Sequence, residues 1–169
     1  EMTASVDKIQ SLVDSAIKVH QAVGEKMAPQ ISAVADAMVA SLKQGGKIIF
    51  CGNGGSAADS QHLTAEFTGR YLFDRPPLAA VSLTTNTSSL TAIGNDYGYD
   101  FVFQRQLEAL AKPGDVVAAI STSGNSKNIV LALESAKKLG VKTVGFTGEG
   151  GGAMGEMVDY LLAVPVSYT

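Results

Sequence analysis

KIIFCGNGGSA, residues 47–57, decides how the rest of the chain is read. Ile48, Ile49, Phe50 and Cys51 run on without the polar alternation of a half-solvated strand, and a run of small residues follows them. A strand apolar on both faces belongs inside a parallel sheet that helices cover on both sides. The small residues let the backbone turn sharply into a helix, predicted over 57–67. The same pattern recurs downstream. Apolar runs at 79–83, 116–120, 143–147 and 160–164 predict four more strands. Between them lie helix-length segments at 101–110 and 128–139 and a short helical turn at 88–93. Lys112-Pro113-Gly114-Asp115 and Leu139-Gly140 punctuate the passages from helix to strand. The expected fold is α/β: a doubly wound, five-stranded parallel sheet of flavodoxin-like type, in three αβα layers.

Upstream of this core, Ile9, Leu12, Val13, Ala16 and Ile17 recur at helical spacing. Ile31, Val34, Ala35, Met38, Val39 and Leu42 repeat the pattern, with Pro29 suited to a first turn and Gly45-Gly46 to an end. Two N-terminal helices over 1–45 are therefore expected ahead of a sheet core over 46–169, in a single domain. Apolar residues make up 46% of the chain and charged ones 17%, which suits a well-cored fold and excludes disorder. A net charge of -3 gives no general attraction to nucleic acid or anionic membrane, so neither is expected as a partner. An anionic substrate must be held locally. The single Cys51 excludes an internal disulfide and suits a reducing compartment. No apolar run approaches the roughly 20 residues of a spanning helix. Glu1-Met2-Thr3 does not open like a signal peptide, so a cytoplasmic location is expected.

In a sheet of this kind ligands gather beyond the carboxyl ends of the strands. The loops there, 52–56, 84–87, 121–126 and 148–152, are built from Gly, Ser, Thr and Asn, with Glu149 the one charged residue. Ser121-Thr122-Ser123-Gly124-Asn125-Ser126 places four hydroxyls in six residues at a helix start. Helix capping would use one or two of them, whereas an oxyanion can use all four together with the helix N–H groups. This loop is read as a phosphate cradle. Gly52, Gly54 and Ala57 satisfy the loose dinucleotide pattern, but the acidic residue that should follow the second strand is replaced by Thr84-Thr85-Asn86. Asn53, Gly54, Gly55 and Ser56 are better read as backbone and side chains brought close to a sugar. His62 and Glu66, at i and i+4, share one face of the helix that follows. They could be a general base with its partner, two metal ligands, or an exposed helical pair. Arg70 could hold sugar hydroxyls or a phosphate, or form a structural ion pair. Asn95-Asp96 reads as a turn, Cys51 as an inert strand residue, and His20 as a surface or interface residue.

The segments CGNGGSAADSQHLTAEFTGRY (51–71), LTAIGNDYG (90–98) and ISTSGNS (120–126) resemble the sugar isomerase domain family, and within it the phosphoheptose isomerase branch. The resemblance runs from about residue 45 to 164. It implies that Asn53, Gly54, Gly55, Asn95 and Asp96 contact the sugar, and that Ser121, Thr122, Ser123 and Ser126 hold the phosphate. It implies that His62 and Glu66 are two ligands of a zinc ion, with Glu66 also the acid–base carboxylate. The remaining ligands, a glutamine and a histidine, are expected on a further helix beyond Thr169. The family reaction interconverts sedoheptulose 7-phosphate and D-glycero-D-manno-heptose 7-phosphate, the first step of heptose synthesis for lipopolysaccharide and related surface glycans. A homotetramer with active sites near subunit contacts is implied as well. Asn86 stands where the family pattern suggests Asp, which leaves its role open. The alternative is a non-catalytic relative of the same fold that binds a sugar phosphate or a replication initiator; the carboxylate at Glu66 favours the enzyme.

Overall fold

The computed structural model describes residues 5–166. The outer limits of the predicted 1–169 domain lie outside the described residues. A single helix, α1 (Val6–Lys43), opens the chain, and Ser5 caps it by accepting the Lys8 N–H at 3.2 Å. The two expected N-terminal helices are therefore one, with Pro29 inside it. An interior proline removes one helical donor and crowds the carbonyl four residues back, a cost of about 3 kcal/mol. Tertiary packing offsets that cost. Met27, Val34 and Ala37, on both sides of Pro29, are buried, and Met27 and Val34 pack in one cluster with Ile48, Phe50, Val116 and Val144 of the sheet.

Five parallel strands follow: β1 (Ile48–Gly52), β2 (Ala80–Ser82), β3 (Val116–Ile120), β4 (Lys142–Thr147) and β5 (Tyr160–Ala163), in the order β2-β1-β3-β4-β5. The doubly wound, five-stranded prediction is borne out, with strand ends shifted by at most one residue. β1 is buried along its whole length, as its unbroken apolar run requires. One face of the sheet carries α1 and α2 (Gly55–Thr68), with Leu63 and Phe67 of α2 against the cluster around Phe50. The opposite face carries α3 (Thr87–Tyr97), α4 (Val102–Leu110) and α5 (Lys127–Lys138). There Val102, Phe103, Leu107, Ile129 and Leu133 pack on Ile49, Cys51, Val117 and Ala119.

α3 is longer than the short turn expected at 88–93. Asn86 starts it, its Oδ1 accepting the Ser89 N–H at 2.9 Å, and Gly98 at φ 94° ends it. Asn95 and Asp96 therefore lie in the last turns of a helix rather than in a turn. The role left open for Asn86 includes helix capping.

At the foot of the sheet, Asp115 accepts hydrogen bonds from the Lys47 Nζ (2.6 Å), the Lys47 N–H (2.9 Å) and the Lys112 N–H (2.8 Å). Burial alone would raise this carboxyl. The Lys47 side-chain bond, the two backbone donors and the ammonium charge outweigh it and hold the pKa below the ordinary value. The starts of β1 and β3 are thereby pinned together, and their upper ends reach the same level. The chain leaves β1 toward β2 on one side and leaves β3 toward β4 on the other, which makes the β1/β3 boundary the topological switch point.

Candidate active site

The loops after β1 and β3 meet at that switch point and open a cleft of about 480 Å³. Its walls are Asn53 and Ser56 from the first loop, Ser121, Thr122, Ser123 and Ser126 from the second, and Gly148 and Glu149 from the loop after β4. Gly52 lets the first loop turn so tightly: a Cβ there would stand 2.6 Å from the Ser56 carbonyl oxygen and 2.7 Å from its Cβ. Gly54, at φ 57°, caps α2, and Gly55 is its first residue. Both are exposed at the same end of the sheet.

Ser126 is the N-cap residue of α5, yet its hydroxyl makes no capping hydrogen bond. It accepts instead from the Ser121 Oγ at 3.1 Å. An α-helix leaves its first N–H groups without intrahelical partners. Here they stand beside a cluster of hydroxyls whose hydrogens can rotate toward a ligand. That arrangement suits an oxyanion with no lysine in contact, because donors and the helix dipole converge on one spot. The loop after β4 braces the hydroxyl loop. Gly148 N–H donates to the Thr122 carbonyl (3.0 Å), Met154 N–H to the Gly124 carbonyl (2.9 Å), and Ala153 N–H to the Asn125 Oδ1 (2.9 Å).

His62 and Glu66 lie farther along α2. The His62 Nε2 and Glu66 Oε1 are 3.2 Å apart, and both line a second, more apolar cleft of about 500 Å³ with Phe67, Tyr71, Phe73 and Arg75. Ten residues separate Ser56 from Glu66, a rise of about 15 Å along the helix. One chain thus brings Asn53 and Ser56 to the hydroxyl loop and keeps His62 and Glu66 apart from it. Arg75 donates to the Glu66 and Phe67 carbonyls (2.6 and 3.0 Å) and ties down the chain beyond α2. Arg70 is exposed just past that helix and lines neither cleft. Asn95 and Asp96 are exposed, with Asn95 Nδ2 donating to Asp96 Oδ1 at 2.8 Å, and they too lie outside both clefts.

The His62 and Glu66 side chains have the chemistry of zinc ligands, an imidazole nitrogen beside a carboxylate. They are a partial set. Among the described residues no three His, Cys, Asp or Glu side chains gather as a metal site, and a protein zinc site takes three or four ligands. Cys51 contributes nothing: it is fully buried, and burial pushes its thiol up to about 12. Residues that sequence reasoning missed are Tyr99 and Asn128, whose side chains reach Asn53; Asn125 and Glu149 lie in loops the sequence singled out, without a role of their own there. Neither Tyr99 nor Asn128 belongs to a pattern with a fixed spacing from Asn53.

Known proteins place this geometry. The SIS domain family matches residues 12–148. A phosphoheptose isomerase of Rhodospirillum rubrum is 52% identical over 163 residues, covering 96% of this chain and 86% of that protein. One of Akkermansia muciniphila is 57% identical over 143 residues, covering 85% and 76%. Among solved structures, phosphoheptose isomerase of Neisseria gonorrhoeae superposes with a TM-score of 0.91 at 43% identity, covering 96% of this chain and 87% of that one. The Francisella tularensis structure gives 0.93 at 39% identity, covering 97% and 87%. The sugar isomerase domain of a Sphaerobacter thermophilus RpiR transcription factor, at 20% identity and a TM-score of 0.64, shares the fold alone. On sequence and structure together, the chain belongs to the SIS domain family and, within it, to the phosphoheptose isomerases.

Proposed function

We propose that this enzyme interconverts sedoheptulose 7-phosphate and D-glycero-D-manno-heptose 7-phosphate in heptose biosynthesis. The observation that carries the reading is the switch-point cleft, walled by the hydroxyls of Ser121, Thr122, Ser123 and Ser126, in a chain of this family. The hydroxyl loop holds the phosphate, with Asn53 to Ser56 along the sugar, so binding energy far from the reacting carbons goes into orientation. Exchange between aldose and ketose moves a proton between adjacent carbons. The Glu66 carboxylate takes the C–H proton next to the carbonyl, leaving an enediolate, and returns it to the neighbouring carbon, while the proton of the adjacent hydroxyl passes to the former carbonyl oxygen. His62 and Glu66 would supply two ligands of a zinc ion, which when bound polarises the carbonyl oxygen as a Lewis acid.

The site is read as completed at a subunit contact in a homotetramer. Two features support this: within one chain the hydroxyl loop and Glu66 face different clefts, and α1 leaves an apolar stripe uncovered. Val6, Ile9, Leu12, Val13 and Ile17 are each about half exposed or more, a face that helices bury against copies of themselves. Arg70, Asn95 and Asp96, exposed and outside both clefts, are placed at such a shared site. A cytoplasmic location is part of the same reading, and no described helix is long and apolar enough to cross a membrane. The test is turnover of sedoheptulose 7-phosphate by the wild type and by Glu66→Gln. Gln keeps the volume and cannot accept the proton, so turnover should fall at least roughly a hundredfold while the sugar phosphate still binds. Full activity in Glu66→Gln would remove the carboxylate from the chemistry.

A further inference from the structure

Asn128 lies in the first turn of α5, is 4% exposed, and is absent from the walls of the switch-point cleft. Asparagine gains little in a buried helical position unless both ends of its amide find partners. Here both do. Asn53 Nδ2 donates to Asn128 Oδ1, and Asn128 Nδ2 donates back to Asn53 Oδ1, each at 2.9 Å. Turning over either amide alone would set N–H against N–H and oxygen against oxygen, so the two side chains can only turn together. Tyr99 adds a third contact, its hydroxyl donating to Asn53 Oδ1 at 3.3 Å. The turn carrying Tyr99 is fastened to the start of α5 by the Asp100–Lys127 ion pair at 2.7 Å. Asn53 is the one member of this network that lines the cleft. Its amide plane is thus set by residues outside the walls of the cleft.

We infer that Asn128 is a positioning residue of this isomerase, holding the Asn53 amide at the angle in which it meets the sugar. The inference rests on the reading above that Asn53 lies along the substrate. A displacement of about 1 Å in a positioning group can cost roughly a hundredfold in rate. Asn128→Leu keeps about the same volume and Asn128→Ala does not, and each loses both bonds. Each should lower kcat/KM for sedoheptulose 7-phosphate by about ten- to a hundredfold. Affinity for inorganic phosphate, measured by titration calorimetry, should stay within about twofold, since the hydroxyl loop is untouched. The double variant Asn53→Ala with Asn128→Ala should lose no more than Asn53→Ala alone, because Asn128 acts only through Asn53. Losses that multiply, or phosphate affinity falling in step with kcat/KM, would overturn the inference in favour of a general structural role. A crystal structure of Asn128→Ala gives a readout independent of turnover: the Asn53 amide should leave its wild-type position. An unmoved Asn53 would refute the inference. A wild type that leaves sedoheptulose 7-phosphate unchanged would count against the assigned reaction alone.

Discussion

Gly124→Ala should disable the hydroxyl loop through a collision that can be worked out atom by atom. Gly124 has φ 68°, in the left-handed region that an L side chain disfavours by roughly 1–2 kcal/mol. A Cβ there would overlap the Gly151 carbonyl oxygen and stand 2.7 Å from its carbon, where ordinary contact starts at 3.4 Å. The obstructing atoms are backbone, so no side chain can rotate out of the way. The two loops must part, and the 2.9 Å bond from Met154 N–H to the Gly124 carbonyl must lengthen or break, at about 1 kcal/mol. The sum is about 2–3 kcal/mol. At roughly 2–4 °C per kcal/mol for a domain of this size, Tm should fall by about 4–12 °C in differential scanning calorimetry. The same parting moves Ser123 and Ser126 off their common target, so inorganic phosphate should bind at least about tenfold more weakly by titration calorimetry. Gly140→Ala is the control. Gly140 has nearly the same φ, 67°, with nothing within 4 Å of a Cβ, so it should show only the backbone cost and bind phosphate normally. If Gly124→Ala melted within about 1 °C of Gly140→Ala and bound phosphate as the wild type does, the interlock between the two loops would be refuted.

Ser123→Ala combined with Ser126→Ala removes two hydroxyls from the cleft and should raise KM for the sugar phosphate roughly a hundredfold, at about 1.5 kcal/mol for each bond to a charged group; an unchanged KM in steady-state kinetics would take the loop out of the binding site. Asp115→Asn should cost about 3 kcal/mol near neutral pH, because it leaves the Lys47 ammonium without its partner. The Asp115 pKa is depressed in the folded protein, so its contribution is fully present above the ordinary carboxylate value and is lost as pH falls below it. The gap in urea stability between wild type and variant should hold steady from pH 5 to 8 and close below about pH 4; a gap that widened on acidification would contradict the assignment. Ile9→Glu with Leu12→Glu should lower the mass seen by light scattering, since both side chains lie on the uncovered stripe of α1; a wild type with the 17.5 kDa mass of one chain at micromolar concentration would count against the tetramer.

The strands, the sheet class and the hydroxyl loop were legible in the residues because each is encoded locally. An unbroken apolar run such as Ile48 to Cys51 forces a strand covered on both faces, and four hydroxyls in six residues exceed what capping alone would use. Tertiary structure decided the rest. Whether Pro29 begins a helix or lies inside one depended on packing of Met27 and Val34 against strands far along the chain, which outweighs a local cost of about 3 kcal/mol. The spacing of His62 and Glu66 put them on one helix face, but only the placement of α2 on the sheet gave them a different cleft from the hydroxyl loop. Asn53 and Asn128, 75 residues apart, form their reciprocal pair because β1 and β3 are neighbours in the sheet. The collision that an added Cβ at Gly124 would meet exists because Gly151 is pressed against it. Such contacts depend on distances in space between residues remote in sequence, and no local period or spacing carries them.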